Sequence, residues 1–276
     1  MNFLKTLSLA LFTLLASDFV MAQSDVSVTA HFGNNAAAGS YITVNGIKLY
    51  YEIYGEGESL LLIHGNGGAI DNFINQIPYF ATKYKVIAVD SRAQGKSVDT
   101  GDSLSFEMMA DDFSLLLDKL KVKSCYVLGW SDGGINGLLL AIRHPEKVKK
   151  LAITGANLWP DSTAIVPAEY LGGKRYYDTL GKMPQTPEII HTRKLVKLDL
   201  FEPHITLEQL KEIKCPTLVI GGDHDIILPR YTLFIAESIP GAYLWIVPNS
   251  NHSTLIDHKE KFNALVDEFF GNRLKR

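Results

Sequence analysis

The sequence predicts an α/β protein with a mostly parallel, doubly wound sheet. Short, nearly continuous apolar runs alternate with helical stretches, and strands that are apolar on both faces belong in a parallel sheet covered by helices. The runs occupy residues 60–63, 86–89, 126–128, 151–153, 218–220 and 244–247. A chain of 276 residues with 46% hydrophobic residues is long enough to build one large domain around such a sheet.

The N-terminus has the pattern of a secretory signal. Lys5 precedes an apolar run over residues 7–16, and a short segment ending at Ala22 follows. A membrane-spanning helix needs about 20 apolar residues, whereas Asp18 interrupts this run earlier. We therefore expect residues 1–22 to be a signal peptide cleaved near Ala22, which would make the mature protein periplasmic or secreted. An uncleaved membrane anchor is the alternative.

The folded domain is predicted to begin at residue 41. Residues 23–40 are rich in alanine, asparagine, glycine and serine without an apolar period, which indicates a flexible leader. Residues 41–54 predict a β-hairpin, because Asn45 and Gly46 supply the two positive-φ positions of a tight turn. The hairpin and the later strands assign residues 41–276 to one α/β domain.

Two helical regions follow from the apolar pattern. Residues 106–120 place their large apolar side chains on one helical face. The stretch 158–213 has no strand-like run, contains recurring prolines and offers short helical pieces such as 188–200 and 207–213. An insertion of this kind between two sheet strands predicts a helical cap. Trp159, the cap residue nearest the sheet, is expected either to line the substrate pocket or to pack the cap against the core.

Composition limits the partners. The formal net charge of −3 and the pI of about 6.2 argue against a nucleic-acid or anionic-membrane partner. The two cysteines and eight histidines show no metal-ligand spacing, so no metal and no other cofactor is predicted. Cys125 and Cys215 are more typical of free buried thiols than of a disulfide, and the oligomeric state stays open.

The segment 129–134, Gly-Trp-Ser-Asp-Gly-Gly, carries the strongest chemical signal. It follows the apolar run 126–128 and precedes a predicted helix over 135–143. A sharp strand-to-helix turn strains the serine backbone and crowds its neighbours, so the flanking positions must be glycine. The turn also points the serine oxygen towards the unpaired N–H groups of the helix N-terminus. Ser131 is therefore the predicted nucleophile.

A serine nucleophile needs a base and an acid that orients the base. In sites of this kind the chain order is nucleophile, acid, base, and both partners should lie just beyond the ends of later strands. His252 is the predicted base, because His258 lies in an apparent helix. Asp225 is the predicted acid, and Asp223, which lies closer to its strand, is expected to cap the loop.

Attack on a carbonyl also requires donors for the oxyanion. The backbone N–H of Asp132, directly after the nucleophile, is one candidate. The glycine-rich loop 64–68 follows an early strand and offers the N–H of Asn66 as the second. His64, which precedes Gly65, is expected to have a structural hydrogen-bonding role and not to be a second base.

Together these residues resemble the α/β-hydrolase superfamily over residues 41–276. The resemblance rests on the early His-Gly pair, the segment 90–97, the serine turn and the later aspartate and histidine; Ala93 is a departure, because many relatives have glycine there. The stretch 129–140 with 154–157 is similar to the valacyclovirases, the biphenyl hydrolase-like proteins, which cleave α-amino-acid esters. The resemblance implies that Asp132 receives the substrate ammonium.

The predicted function is hydrolysis of a small-molecule carboxylic ester through an acyl-enzyme, with α-amino-acid esters as one candidate class. Because the same serine triad serves other reactions, lactonase, thioesterase and carbon–carbon bond hydrolase stay open as alternatives. The fold also occurs in small-molecule receptors with little turnover, which a complete triad disfavours. The serine nucleophile argues against haloalkane dehalogenases and epoxide hydrolases, which use an aspartate. An alternative for Asp132 is that it caps the following helix.

Overall fold

The computed structural model describes residues 31–274. The predicted signal peptide, residues 1–22, and the first part of the predicted leader, residues 23–30, lie outside the described residues.

The remainder of the predicted flexible leader is held against the sheet. The backbone N–H groups of Gly33 and Asn35 donate hydrogen bonds of 2.7 and 2.8 Å to the carboxylate of Glu52. Glu52 is fully buried and also accepts hydrogen bonds from the hydroxyls of Tyr50 and Tyr54. The prediction of flexibility was wrong for residues 31–40, because backbone groups make these contacts and leave no trace in side-chain composition.

The predicted sheet is confirmed. Within residues 31–274 its strands are β1 (Gly39–Val44), β2 (Ile47–Tyr54), β3 (Glu58–Ile63), β4 (Tyr84–Val89), β5 (Cys125–Trp130), β6 (Val148–Thr154), β7 (Thr217–Gly222) and β8 (Tyr243–Val247). Their order is β1-β2-β4-β3-β5-β6-β7-β8. The hairpin strand β2 pairs antiparallel with β4, and every pair from β4 to β8 is parallel. The carboxyl ends of these parallel strands therefore share one edge of the sheet.

Helices cover both faces of the sheet. The described α-helices are α1 (Ile77–Phe80), α2 (Phe106–Lys119), α3 (Asp132–Arg143), α4 (Pro167–Lys182), α5 (Pro187–Phe201), α6 (Leu207–Lys211), α7 (Pro229–Ser238), α8 (Thr254–Asp257) and α9 (Lys259–Phe270). Successive strand residues belong to two hydrophobic cores, one on each face of the sheet. Leu61 packs with α2, α3 and α7, whereas Leu62 packs with α1 and α9. The period-2 alternation of strand side chains explains this division.

The insertion between β6 and β7 is helical. It contains α4, α5 and α6, and α4 buries only Leu180. α5 is attached to the loops around the sheet edge: the Asn66 side chain donates to the carbonyl of Leu195 at 3.0 Å, and the Lys194 ammonium donates to the carbonyl of Gly101 at 2.8 Å. We call residues 158–213 the cap from here on.

Within residues 31–274, no helix is both long enough and apolar enough to cross a bilayer. Cys125 and Cys215 are both free thiols.

Candidate active site

The turn between β5 and α3 holds Ser131 in a strained conformation. Its φ of 56° and ψ of −119° lie in a region that residues with a side chain rarely adopt. Ser131 N–H donates to the carbonyl of Thr154 at 2.8 Å, which anchors the turn to β6. A side chain at Gly133 would collide with the carbonyl of Ile63, and one at Gly129 would collide with Gly133. The turn can form only because both flanking positions are glycine.

Ser131, His252 and Asp225 form a hydrogen-bonded chain at the carboxyl edge of the sheet. Ser131 Oγ lies 2.9 Å from His252 Nε2, and His252 Nδ1 lies 2.6 Å from Asp225 Oδ1. The side chain of Asp225 is fully buried, whereas that of His252 is 21% exposed. Because a carboxylate can only accept, Nδ1 carries the proton and Nε2 is left to accept from the serine hydroxyl. The structure thus brings together the three side chains that the sequence predicts as a triad.

Asp223 makes different contacts from Asp225. Its carboxylate accepts hydrogen bonds from the N–H groups of Ser250 and Asn249, each at 2.9 Å, and lies 2.8 Å from His224 Nδ1. These donors, Ser250 first, hold the pKa of Asp223 far below its ordinary value. Asp223 therefore ties the loop after β7 to the loop after β8, which is the capping role expected for it.

Two residues that the sequence did not single out position His252. The indole N–H of Trp130 donates to the His252 carbonyl at 2.9 Å. Gly155 has a φ of +67°, and a Cβ there would lie 2.6 Å from His252 Cε1. The imidazole thus occupies space that only glycine leaves open. The Gly-x-Ser-x-Gly pattern marks Trp130 as a variable position, so the pattern could not reveal this contact.

The glycine-rich loop after β3 lies directly against the nucleophile. A Cβ at Gly65 would be 3.0 Å from Ser131 Cβ, so the loop backbone approaches as closely as glycine allows. Within residues 31–274 neither Asn66 N–H nor Asp132 N–H takes part in the backbone hydrogen bonds of loops and caps. The two predicted oxyanion donors therefore lie in the two segments that adjoin Ser131, and neither N–H donates to a backbone carbonyl in those segments. Gln94 Oε1 fixes the loop by accepting from Gly67 N–H at 2.6 Å.

His64 has the structural role expected for it. Its Nε2 accepts from Ser91 N–H at 2.9 Å, and its Nδ1 lies 2.7 Å from the Gly65 carbonyl. Since a backbone N–H can only donate, Nε2 is unprotonated and Nδ1–H donates to the carbonyl. Burial lowers the pKa of His64 to about 4, so the ring is neutral at physiological pH.

Asp132 does not cap α3. The N-cap residue of α3 is Ser131, and within residues 31–274 the buried Oδ2 of Asp132 accepts no hydrogen bond. The carboxyl group of Asp199, on the cap helix α5, is close enough to share a hydrogen bond with that of Asp132. Burial, and then the neighbouring Asp199, raise the pKa of Asp132. Asp199 belongs to no motif, so no sequence signal could have found this contact.

Trp159 packs against the core. Its ring centroid lies 5.9 Å from that of Tyr231 and 6.0 Å from that of Phe234, both on α7. These contacts support the packing alternative for Trp159 over the pocket-lining one.

A separate cavity of about 560 Å³ lies between α5 and the loop 99–102. Arg193, Lys194 and Lys197 line it, and no member of the Ser131, His252, Asp225 chain does. α5 therefore presents Asp199 to the serine site and its basic residues to this cavity.

The sheet order, the strained serine turn and the hydrogen-bonded chain define the class of the protein. A sequence model of the alpha/beta hydrolase fold matches residues 58–203, more than half of the chain, and the protein belongs to this hydrolase family. The serine hydrolase BPHL of Mus musculus is 29% identical over 273 residues, which cover 87% of this chain and 88% of that protein.

Other relatives act on different compounds. The 2-hydroxy-6-oxononadienedioate/2-hydroxy-6-oxononatrienedioate hydrolase of Paraburkholderia phymatum is 28% identical over 280 residues, covering 86% of this chain and 96% of that one. Among solved structures, Est816, described as an N-acyl homoserine lactone degrading enzyme, has a TM-score of 0.69 and 25% identity. It covers 83% of this chain and 100% of its own.

Proposed function

We propose that the protein is a serine hydrolase that cleaves carboxylic esters through an acyl-enzyme intermediate, with Ser131, His252 and Asp225 as its triad. The observation that carries the proposal is the continuous hydrogen-bonded chain from Asp225 through His252 to Ser131, with spacings of 2.6 and 2.9 Å. A serine hydroxyl on a strained turn, within hydrogen-bond distance of an imidazole that a carboxylate orients, is the arrangement of an activated nucleophile.

The reaction runs in two halves. Ser131 Oγ attacks the ester carbonyl carbon while His252 Nε2 takes the hydroxyl proton, and the N–H groups of Asn66 and Asp132 stabilise the oxyanion. The imidazolium then protonates the leaving alkoxide, the C–O bond breaks and the alcohol departs. Water attacks the acyl-enzyme, again giving its proton to His252, and the serine oxygen leaves with that proton as the free acid is released. Asp225 keeps the imidazole oriented throughout.

The proposed substrate class is esters of α-amino acids. The Asp132 carboxylate lies one residue from the nucleophile, is buried, and is not used to cap α3. A carboxylate about 4 Å from a substrate ammonium gains roughly 1–4 kcal/mol, depending on how much water is excluded. The similarity to BPHL, which covers most of both chains, agrees with a serine hydrolase and leaves the scissile bond open.

A lactonase is the second candidate, favoured by the similarity to Est816. A lactone is an internal ester, so the same triad and the same oxyanion donors would open it. The two candidates differ in what faces the acyl group: an acyl-homoserine lactone presents a neutral amide, which gains nothing from a buried carboxylate.

The first experiment asks whether Ser131 is an activated nucleophile. We expect a fluorophosphonate probe to label the purified protein and to leave Ser131→Ala unlabelled, with both proteins equally folded by circular dichroism. Labelling that survives in Ser131→Ala, or an unlabelled wild type, would refute the proposal and would favour a small-molecule receptor.

The second experiment identifies the substrate class. Initial rates are compared on L-leucine ethyl ester, its N-acetylated twin, an acyl-homoserine lactone and a thioester. The proposal predicts a ten- to several-hundred-fold preference for the free amine in the wild type, the fold-change that corresponds to about 1–4 kcal/mol. Equal rates on the two esters would leave a general carboxylesterase, and faster opening of the lactone would favour the second candidate.

A further inference from the structure

Two acidic side chains from different parts of the fold face each other beside the nucleophile. Asp132 is the first residue of α3, directly after Ser131, and Asp199 lies on α5 in the cap. Their carboxyl groups are close enough to share a hydrogen bond. Asp132 is 4% exposed, whereas Asp199 is exposed to solvent.

No cation of the described residues neutralises this pair. Neither carboxyl group forms an ion pair with a lysine or arginine within residues 31–274. Asp132 Oδ2 is buried and accepts no hydrogen bond from any N–H or O–H donor of that range. The titratable group that faces the pair is His252, which is already bonded to Asp225. Two carboxylates in contact repel each other unless a proton or a cation lies between them.

We infer that Asp132 and Asp199 together form a two-carboxylate subsite for the primary ammonium group of the substrate, with Asp199 as a specificity-determining residue supplied by the cap. The inference rests on the proposed ester hydrolysis and deepens it, because it assigns amine recognition to the cap as well as to the core.

The geometry suits an ammonium group. An ammonium has three N–H donors, which can be shared between carboxylate oxygens on opposite sides. A metal ion prefers more ligands, and residues 31–274 contain no group of three or more histidine, cysteine or acidic residues arranged to hold one. Asn66 fixes the cap side of the subsite, since its amide donates to the carbonyl of Leu195, one helical turn before Asp199 on α5.

The proton balance of binding follows from the contact between the acids. Without substrate, one proton is shared between the two carboxyl groups, which leaves one net negative charge. Binding of the ammonium displaces that proton to solvent at the exposed Asp199 side, and both carboxylates then face the cation. Amine binding is therefore coupled to the release of one proton, whereas binding of an N-acetylated ester is not. Both esters are attacked beside the same His252, so any effect of that residue cancels in the ratio of the two.

The test measures kcat/KM for L-leucine ethyl ester and for its N-acetylated twin in wild type, Asp132→Asn, Asp199→Asn, Asp199→Glu and the double Asn variant. Asp178→Asn, which removes an exposed acid from α4, is the matched control for a charge lost from the cap. Thermal midpoints show that each protein is folded.

We expect each single Asn substitution to lower the amine-over-acetyl ratio about tenfold or more, and Asp199→Glu to retain part of it. The double variant should lose little beyond one single variant, because both acids hold the same cation. The wild-type ratio should rise with pH up to about 7.5, because the shared proton becomes easier to displace while the substrate amine still carries its charge, and this rise should vanish in Asp199→Asn. Asp178→Asn should keep the wild-type ratio.

Each contrary result would contradict a different part of the inference. A preference for the amine that persists in Asp199→Asn would overturn the inference and leave recognition to Asp132 alone. If Asp199→Asn lowered kcat/KM equally for both esters, Asp199 would only hold the cap in place, and this result would also overturn the inference. A wild type that is labelled by the probe but shows no amine preference would refute the subsite while the esterase proposal stands, and an unlabelled wild type would refute both.

Discussion

At the residue scale, two aspartates on one loop differ because of what surrounds them. Asp225 is buried and its Oδ1 contacts His252 Nδ1 and one backbone N–H, that of Ile227, while its Oδ2 accepts no hydrogen bond within residues 31–274. Asp223 is instead held by two backbone N–H groups, those of Asn249 and Ser250. A carboxylate that is saturated by backbone donors stabilises a loop. A buried carboxylate with one imidazole partner can instead compensate an imidazolium as it forms.

This difference gives a prediction for the triad. Ser131→Ala and His252→Ala should each lower kcat by about 10⁴–10⁶, because residues that act as one unit lose their effect together. Asp225→Asn should cost about 10⁴ in kcat, since the amide favours the wrong imidazole tautomer. Asp223→Asn is the matched control and should mainly lower the thermal midpoint. An inactive Asp223→Asn beside a nearly normal Asp225→Asn would reverse the assignment.

His64 gives a second prediction at this scale, on the pH dependence of stability. The pKa of His64 is lowered to about 4 by burial, against about 6.5 in an unfolded chain. Between these values the unfolded state binds a proton that the folded state does not, so the free energy of unfolding falls as the pH falls. The loss from this group is about 2 kcal/mol at pH 5 relative to pH 7.5.

Urea unfolding at both pH values measures this loss in wild type and in His64→Gln, which keeps an acceptor for Ser91 N–H but cannot titrate. Over the same pH interval, the free energy of unfolding of the variant should fall by about 2 kcal/mol less than that of wild type. His191→Gln, on the exposed cap surface, is the control for removing a histidine. Identical pH dependence in wild type and His64→Gln would show that His64 is not held neutral by the fold.

At the scale of elements, the site depends on strand ends that leave room for its side chains. Gly155 follows β6 at a φ of +67°, and a Cβ there would meet the His252 ring at 2.6 Å. Gly46, in the β1–β2 turn, has a similar φ of +81°, but a Cβ there would have no heavy atom within 4 Å. The two positions share the backbone cost of a side chain and differ only in the contact with the imidazole.

Gly155→Ala should therefore lower kcat by on the order of 10², since displacing the base by about 1 Å is costly for proton transfer. Gly46→Ala should share the stability cost of about 1–2 kcal/mol for a left-handed alanine and keep its kcat. Steady-state kinetics and thermal melts of both variants check this. Equal kcat values for the two variants would show that the imidazole tolerates the contact.

The elements differ in how well the sequence predicted them. The strands of the parallel sheet were located to within about three residues because each contains a short apolar run, and the central ones are buried on both faces by helices. α4 was missed as a long helix, since it buries only Leu180 and so shows no apolar stripe. The triad followed from motif and strand position, but the contact of Asp199 with Asp132 depends on where the cap helix is placed over the sheet.

At the scale of the whole molecule, the sheet edge and the cap contribute different residues to the proposed site. The loops after β3, β5, β7 and β8 carry the glycine-rich segment 64–68, Ser131, Asp225 and His252, which are the proposed oxyanion loop, nucleophile, acid and base. The cap adds Asp199, and its tethers at Asn66 and Gly101 join it to loops of that same edge. In the proposed mechanism the core therefore sets the chemistry, and the cap shares in recognising the substrate.

The N-terminal segment gives the last prediction, because the proposed export decides where the enzyme meets its substrate. Lys5, the apolar run 7–16 and the short residues before Ala22 predict cleavage that leaves Gln23 as the first residue. A secretory signal is absent from the mature protein, which keeps the hydrogen bonds of Gly33 and Asn35 to Glu52. The mature chain should therefore fold and hydrolyse esters as the full chain does.

N-terminal sequencing of protein recovered from the periplasm or the medium should begin at or near Gln23. A purified 23–276 chain should match the full chain in thermal midpoint and in kcat/KM. Replacing Leu11 and Leu14 by arginine in the apolar run should keep the protein inside the cell, because a charged centre cannot act as a signal. Full-length protein in the membrane fraction would instead favour the uncleaved anchor.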